Sequence, residues 1–404
     1  MKEVALHEIC DLLNGYAFKS NDYIDFSNTL NCRMSNIRPE GYFDIEYAKK
    51  YLPDNYVNKY SSFLLNDGDL VIAMTDMAND PKILGVPTIV KTNGYKLLLN
   101  QRVGKLIILD KEKVHIPYLQ YSLNRTSVKK YYTQFAGGGL QLNVGKKEIL
   151  SVKIPLPPLA TQQKIAAILD AADELRQKDK ALVAKYDELT QALFLDMFGD
   201  PVTNPKGYLK SAVGNECQVK GGKRLPKDDS LVSENTGFPY IKAGNIKAGK
   251  VTTKNLEYLQ PETREKLKRY TVNEGDVCIT VVGANIGDIG VVPKELHLAN
   301  LTENANKLLI NNPNTLNSIY LANYLQMDFS QKHIGQKTMT VGVPKLALFR
   351  IQQLELLLPP IKSQIKFADC VKAIEEQKRI AQASALKSEE LFNSLLQKAF
   401  NGEF

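Results

Sequence analysis

Ile154-Pro155-Leu156-Pro157-Pro158 and Leu356-Leu357-Leu358-Pro359-Pro360 decide how this chain folds. Each stretch closes a mixed segment and opens a long helix-forming one, and Pro158 and Pro360 stand 202 positions apart. The same interval separates Lys105 from Lys307, Tyr118 from Tyr320, Leu193 from Leu395 and Phe198 from Phe400. Self-similarity at a fixed interval is read before any local motif, because it says that the chain is assembled from copies. A proline pair stops both sheet and helix, so each pair marks a boundary. The expectation is a tandem duplication: a globular domain over 1–158, a helix over 159–200, a second globular domain over 201–360 and a second helix over 361–404.

Working upstream, each globular half opens with a strand-like segment, Val4 to Leu13 and Val213 to Val219. Asn66-Asp67-Gly68-Asp69 runs into Leu70-Val71-Ile72-Ala73, and Asn273-Glu274-Gly275-Asp276 runs into Val277-Cys278-Ile279-Thr280. A glycine turn feeding a β-branched run predicts a turn and a buried strand. These turns lie 207 positions apart, so the first copy carries five extra residues between Gly68 and Lys105, a length change that belongs to loops. Downstream, Ile116 to Tyr131 and Ser318 to His333 show helical spacing of Tyr, Leu and Phe that suits packing on a sheet. Polar loops follow at Ala136-Gly137-Gly138-Gly139 and Gly335-Gln336-Lys337-Thr338.

A chain of 404 residues can bury two substantial cores, in keeping with two globular units. Its formal charge of +8 favours a polyanionic partner. Five scattered cysteines, Cys10, Cys32, Cys217, Cys278 and Cys370, form no CxxC pair, and their odd number argues against secretion. No stretch approaches the roughly 20 apolar residues that span a bilayer. The expectation is a cytoplasmic protein with no membrane partner.

The helix after Pro158 carries apolar residues at alternating three- and four-residue steps, with only Asp179 interrupting: Ile165, Ile168, Ala172, Leu175, Leu182, Tyr186, Leu189 and Leu193. Such spacing predicts a coiled-coil seam. The matching positions after Pro360 include Phe367, Cys370, Ile374, Leu391 and Leu395, a smaller and more polar stripe. Gly199-Asp200-Pro201 turns straight from the first helix into the second domain, so a second helix returning from that domain pairs antiparallel with the first. At 1.5 Å per residue such a helix is roughly 55 Å long. The expected class is α+β: two mixed, strand-rich domains separated by two long helices paired as an antiparallel coiled coil, with pseudo-two-fold symmetry.

Catalytic constellations are missing from the sequence. There is no HExxH, no Cys/His metal spacing and no Gly-x-Ser-x-Gly elbow, so neither catalytic nor metal-ligating residues are assigned. Gly139 to Lys147 resembles a P-loop only loosely, failing in glycine spacing and in the magnesium-binding hydroxyl. Basic and polar loops recur instead at matched places. Asn36-Ile37-Arg38 answers to Asn245-Ile246-Lys247, and Lys220-Gly221-Gly222-Lys223-Arg224 lies upstream of the latter. Lys and Arg neutralise phosphates, glycine admits backbone amides to them, and Asn, Gln and Arg pair with base edges. The candidate DNA-binding residues are therefore Asn36, Arg38, Gln141, Lys220, Lys223, Arg224, Asn245, Lys247, Lys337 and Thr338.

Two repeats, each with a Gly-Asp turn (Gly68-Asp69, Gly275-Asp276), a Leu-Pro-Pro segment, a Gln four residues on (Gln162, Gln364), a heptad helix and a terminal Phe with Gly (Phe198-Gly199; Phe400-Asn401-Gly402), resemble the specificity subunit of type I restriction–modification systems. The likeness covers essentially the whole chain; Thr161 and Ser363 depart from it, standing where the family often has Glu. The resemblance implies two target-recognition domains reading the halves of an interrupted, asymmetric double-stranded DNA sequence. It also implies a non-catalytic chain without its own cofactor. Methyltransferase subunits carrying S-adenosylmethionine would dock on the helices, with Ile165, Ile168, Leu175, Leu182, Leu189, Leu193, Ile374, Leu391 and Leu395 as the seam and docking residues. An endonuclease–translocase subunit would supply ATP and Mg chemistry. The alternatives are a methyltransferase or fused restriction enzyme with its own site, which S-adenosylmethionine binding by the chain alone would favour, and a coiled-coil scaffold, which salt-insensitivity towards DNA would favour.

Overall fold

The computed structural model describes residues 2–137, 139–339 and 343–404; Gly138 of the first polar loop lies outside them. It divides into two compact units, Met1–Asp179 with Ser384–Phe404, and Lys180–Ala383. Each unit therefore draws on both long helices, the central one over Leu159–Phe198 and the C-terminal one over Ile361–Asn401.

In the first unit a four-stranded antiparallel sheet runs Cys10–Asn14, Val103–Ile108, Leu70–Ala73, Pro87–Ile89. In the second unit Cys217–Gly221, Ala305–Ile310, Val277–Thr280 and Ile289–Val291 follow the same order, extended by Gly249–Val251 and Ile246–Lys247. Leu70–Ala73 and Val277–Thr280 are buried along their whole length, as expected of apolar runs in a sheet interior. The turns before them need glycine, because Gly68 and Gly275 sit at φ +86° and +83°. Asp69 and Asp276 complete those turns by accepting the Asn66 and Asn273 amides at 2.7 and 2.8 Å. A second small sheet in each unit pairs Thr29–Cys32 with Lys96–Leu99, or Pro239–Ile241 with Asn300–Leu301, in parallel.

The proline segments end the strand-rich part of each unit. Lys153–Pro155 pairs with Glu3–Ala5, and Glu355–Leu358 with Leu209–Ala212. Just beyond, Gln162 and Gln364 are wholly buried. Gln162 Nε2 donates to the carbonyls of Lys113 and Pro157, both at 2.8 Å, and its Oε1 accepts from the His115 amide at 2.9 Å. Gln364 does the same with Thr315 (3.0 Å), Pro359 (2.7 Å) and Asn317 (2.9 Å). Tyr118 and Tyr320 donate their hydroxyls to the carbonyls of Pro155 and Leu357 at 2.8 and 3.0 Å. The Leu-Pro-Pro…Gln pattern is thus a latch that fastens the start of each long helix to the loop entering an earlier helix, Ile116–Leu123 or Ser318–Gln326, while the tyrosine tethers that helix to the proline strand.

Within each unit the long helices run antiparallel. In the first, Ile165, Leu169 and Ala172 pack with Phe392 and Ala399, Arg176 reaches Glu389 at 3.0 Å, and Ser384 reaches Asp179 at 3.1 Å. In the second, Phe194 lies 5.6 Å from Phe367 and Lys378 reaches Asp187 at 2.5 Å. Arg176 and Lys378 are repeat mates, as are Glu389 and Asp187, so both units use the same register. The seam itself differs from the sequence expectation. It follows Gln162, Ile165, Leu169, Ala172, Arg176, Asp179, Val183, Tyr186, Thr190 and Leu193 on one helix, and Gln364, Phe367, Val371, Ile374, Lys378, Ala381, Ala385, Ser388, Phe392 and Leu395 on the other. Of the expected residues, Ile165, Ala172, Tyr186, Leu193, Phe367, Ile374 and Leu395 belong to it. Leu175, Leu182, Leu189 and Leu391 do not: they are 45, 42, 48 and 46% exposed, and Ile168 is half-buried on the same outer line. The central helix carries two apolar lines, and the inner one is interrupted by Arg176, Asp179 and Thr190, so counting leucines selects the outer line.

Candidate nucleic-acid interface

The loop residues proposed as DNA contacts fall into three kinds of environment. Asn36 and Asn245 are buried. Asn36 accepts the Arg33 amide at 2.9 Å and donates to the carbonyls of Asp44 and Tyr47 at 3.0 and 3.2 Å. Asn245 accepts the Lys242 amide at 3.0 Å and donates to the Lys254 carbonyl at 3.1 Å. Both carboxamides brace their own loops, so neither is presented to a base edge as it stands. Their recurrence has a structural cause: a 3₁₀ turn with Asn at its third position needs that side chain to cap the turn.

Lys220, Lys223, Arg224 and Lys247 are exposed. Lys220 lies on the edge strand Cys217–Gly221, and Lys223 and Arg224 lie just beyond it. Lys247 is on Ile246–Lys247 at the opposite edge of the same six-stranded sheet. The sheet therefore brings the first three together and holds Lys247 apart. Arg224 is tied to Glu303 at 2.8 Å, whereas the Lys223 ammonium lies 5.8 Å from the centre of the Tyr270 ring. Asp288 is held above the usual carboxylate range by burial, an effect that Lys247 opposes.

Arg38, Gln141, Lys337 and Thr338 are half-buried. Gln141 begins the short strand Gln141–Asn143, paired with Thr75–Met77. The Lys337 carbonyl accepts from Arg350 at 2.6 Å, and the Thr338 hydroxyl donates to the Ile334 carbonyl at 2.8 Å. The Arg38 guanidinium lies 4.4 Å from the centre of the Tyr47 ring. Tyr42 and Tyr47 are exposed beside it, and sequence reading passed over both. The signal was available in the alternation of aromatic and basic residues over Arg38, Tyr42, Tyr47, Lys49, Lys50 and Tyr51, a composition suited to charged, planar ligands.

Among the described residues no group of three or more His, Cys, Asp or Glu side chains is placed to hold a metal ion, and no helix is long and apolar enough to cross a membrane. The buried thiols of Cys10, Cys32 and Cys217 are pushed up to about 12 by desolvation, far from a reactive thiolate.

Against this geometry, the family model for the type I restriction modification DNA specificity domain matches residues 1–184 and again 205–386. The chain belongs to that family. It is 24% identical over 427 residues to the EcoKI specificity subunit of Escherichia coli K12, covering 98% of this chain and 87% of that one. It is 31% identical over 198 residues to the MjaVIII specificity subunit of Methanocaldococcus jannaschii, a match that spans 48% of this chain and 44% of the relative. The fold is shared with the S subunit of a type I restriction–modification system from M. genitalium (TM-score 0.60, 16% identity, 99% of this chain and 96% of that one). A chain from work on complex assembly and conformational transition of the type I R-M system has the same fold (TM-score 0.53, 18% identity, 100% and 98% covered).

Proposed function

We propose that the two units of this DNA-specificity protein read the two dissimilar halves of an interrupted, asymmetric duplex sequence. The carrying observation is the doubled specificity domain, in which one sheet order and one latch recur beneath unlike loops. We infer further that the domains are best divided at 158, 200 and 360, that the frame is pseudo-two-fold symmetric, and that the paired helices fix the gap between half-sites. The reading includes methyltransferase subunits that bring S-adenosylmethionine, an endonuclease–translocase that brings ATP and Mg, and a cytoplasmic setting. The chain itself recognises and assembles; the chemistry belongs to its partners.

Methylation mapping in a host carrying this gene with its methyltransferase partner tests the reading directly. The expected result is a single two-part asymmetric motif, and a continuous or palindromic motif overturns it. Lys223→Ala and Lys247→Ala are expected to weaken binding to all sequences and to lower the slope of log affinity against log salt by about 1 each. Changes at Arg38 or Gln141 are expected to alter base preference instead. If all four variants select DNA as the parent does, the loop assignment fails while the family stands. Inserting a helical turn near Ala181 is expected to change the permitted gap, and an unchanged gap removes the spacing role.

A further inference from the structure

Arg38 opens a tight turn, Arg38-Pro39-Glu40-Gly41, in which the Gly41 amide donates to the Arg38 carbonyl at 2.8 Å and the Arg38 amide to the Tyr42 carbonyl at 3.0 Å. Three successive carbonyls of this turn are each taken by a side chain from the helices packed against it. Lys129 donates to Pro39 at 3.3 Å, Asn124 Nδ2 to Glu40 at 2.9 Å and Gln120 Nε2 to Gly41 at 2.6 Å. Burial holds the Lys129 ammonium below its usual range, with Glu40 only partly offsetting it, so the clasp closes in a partly dry place. Among the described residues the second unit has no such clasp. The repeat mates of Gln120, Asn124 and Lys129 are Ala322, Gln326 and Gln331. Ala322 has no side-chain donor, Gln326 donates to the Ala322 carbonyl of its own helix at 3.1 Å, and Gln331 donates to the carbonyls of Gly287 and Leu325 at 3.0 and 2.7 Å. The matched turn, Lys247-Ala248-Gly249-Lys250, is held by main chain instead: Lys247 pairs with Lys250 across a two-residue hairpin whose Ala248 and Gly249 sit at φ +49° and +83°. The shared frame therefore folds without these three side chains, and their work in the first unit is local to the turn that carries Arg38.

We propose that Gln120 and Asn124 are positioning residues for half-site reading: they hold the Arg38–Gly41 turn in one shape, so that Arg38 meets a base edge with paired acceptors, as guanine has, in one orientation. The proposal rests on the reading of Arg38 as a base contact. Two parallel hydrogen bonds from a guanidinium to guanine discriminate only when the fork is held to within about 0.5 Å of its place. A turn free to move would have to be ordered at the moment of binding, which weakens the preference it can express. Here the clasp sets where the side chain starts, and the Tyr47 ring, 4.4 Å from the guanidinium, sets the plane in which it lies. Lys129 is the third tie, and its charge adds attraction for phosphate, so Gln120 and Asn124 are the residues whose loss isolates positioning from charge.

Competition binding by the full chain with its methyltransferase partner, against duplexes carrying every single base change in the mapped motif, tests the proposal. Arg38→Ala is expected to lose about tenfold discrimination at one position of one half-site. The neutral double exchange Gln120→Met with Asn124→Leu removes both donors and leaves Arg38 in place. It is expected to lose at least about threefold at that same position, with the other half-site and the salt slope unchanged. A support needed only for folding would instead weaken binding to all sequences alike. Should the double exchange not fold, Gln120→Met alone serves in its place. Full discrimination in the clasp variant beside its loss in Arg38→Ala overturns the positioning role and leaves the reading of Arg38 standing. Equal weakening at every position of the motif overturns it as well. If Arg38→Ala keeps every preference, the proposal falls with the assignment of Arg38, while a two-part motif in the parent still supports the DNA reading.

Discussion

Gln162 in the first unit and Gln364 in the second grip three backbone groups each with the same atoms, whereas Tyr16 and Lys223, which leave matched edge strands of those units, share no chemistry. Tyr16 packs on Tyr60 with ring centres 4.5 Å apart, while Lys223 extends over Tyr270. Yet both residues are placed identically, their amides bonded to the carbonyls of Leu99 and Leu301 at 2.9 Å. The contrast separates two kinds of constraint. Main-chain groups at a joint have fixed positions and must be satisfied, so the side chains that satisfy them stay alike. A side chain leaving a satisfied edge meets solvent or a ligand and is free to change, which suits a frame made to carry different reading surfaces.

The latch is where the two units should respond most strongly and most alike. Gln162→Ala and Gln364→Ala each strand two carbonyls and an amide in a dry joint, and each is expected to cost about 4 kcal/mol at roughly 1–3 kcal/mol per orphaned group. Hydrogen exchange read by mass spectrometry should show faster exchange over 113–123 for the first variant and over 315–326 for the second. Spread of either effect equally over both units would break the idea of separate joints.

Gly15→Ala and Gly222→Ala come next. A Cβ at these positions would stand 2.2 Å from the Asn100 carbonyl oxygen and 2.0 Å from that of Thr302, so the strand must move. Each substitution is expected to cost about 3 kcal/mol, at the upper end of overpacking effects, as a drop in the urea midpoint. Unequal losses would show that one edge tolerates displacement and is the more pliable platform for its reading residue.

The ion pairs between the long helices sharpen the comparison further, because the same register is held by unlike chemistry. Arg176 is almost wholly buried between Asp173 and Glu389 and over Phe392, while Lys378 pairs with a largely exposed Asp187. Arg176→Ala is expected to lower stability by about 2 kcal/mol, and Lys378→Ala by less than about 1 kcal/mol. Thermal melts of the two variants decide the matter, and equal losses would contradict the asymmetry.

These contrasts also show what could be read from the chain alone. The duplication, the turn-and-strand landmarks and the start of each long helix after a Pro-Pro pair were legible, because glycine at positive φ, buried β-branched runs and Pro-Pro each leave one-dimensional marks. The function of Gln162 and Gln364 was not legible: the residues were visible as part of a pattern, but their three partners come from two separate stretches of chain. The helix register was misread for a related reason. Leu175, Leu182 and Leu189 advertise a seam by hydrophobicity, whereas the real one keeps Ile165, Ala172, Tyr186 and Leu193 but also runs through Arg176 and Thr190, whose burial follows from what faces them. Asn36 and Asn245 were legible as recurrent polar residues, and only the folded turn shows that recurrence reflects capping.

The smallest expected effect separates Asp69 from Asp276, which occupy the same turn. Asp69 pairs with Lys105 at 2.6 Å, but the mate of that lysine, Lys307, donates to the Thr271 carbonyl. Burial consequently holds the Asp276 carboxyl above the usual carboxylate range, with the Asn273 amide and Lys307 only partly offsetting it. The folded state then binds a proton more readily than the unfolded chain, so this group subtracts stability as pH rises through its folded value, and the penalty is complete at neutral pH. Asp276→Asn keeps an acceptor for the Asn273 amide and removes the charge. It is expected to leave the protein up to about 1 kcal/mol more stable at neutral pH, an advantage that fades as the solution is acidified and the native carboxyl becomes protonated. Asp69→Asn should move the other way, losing up to about 1 kcal/mol with its lysine partner. Urea unfolding of both variants across acid and neutral pH checks the signs. If Asp276→Asn is destabilising at neutral pH, the carboxylate is doing in the second unit what it does in the first, and the two turns are chemically equivalent after all.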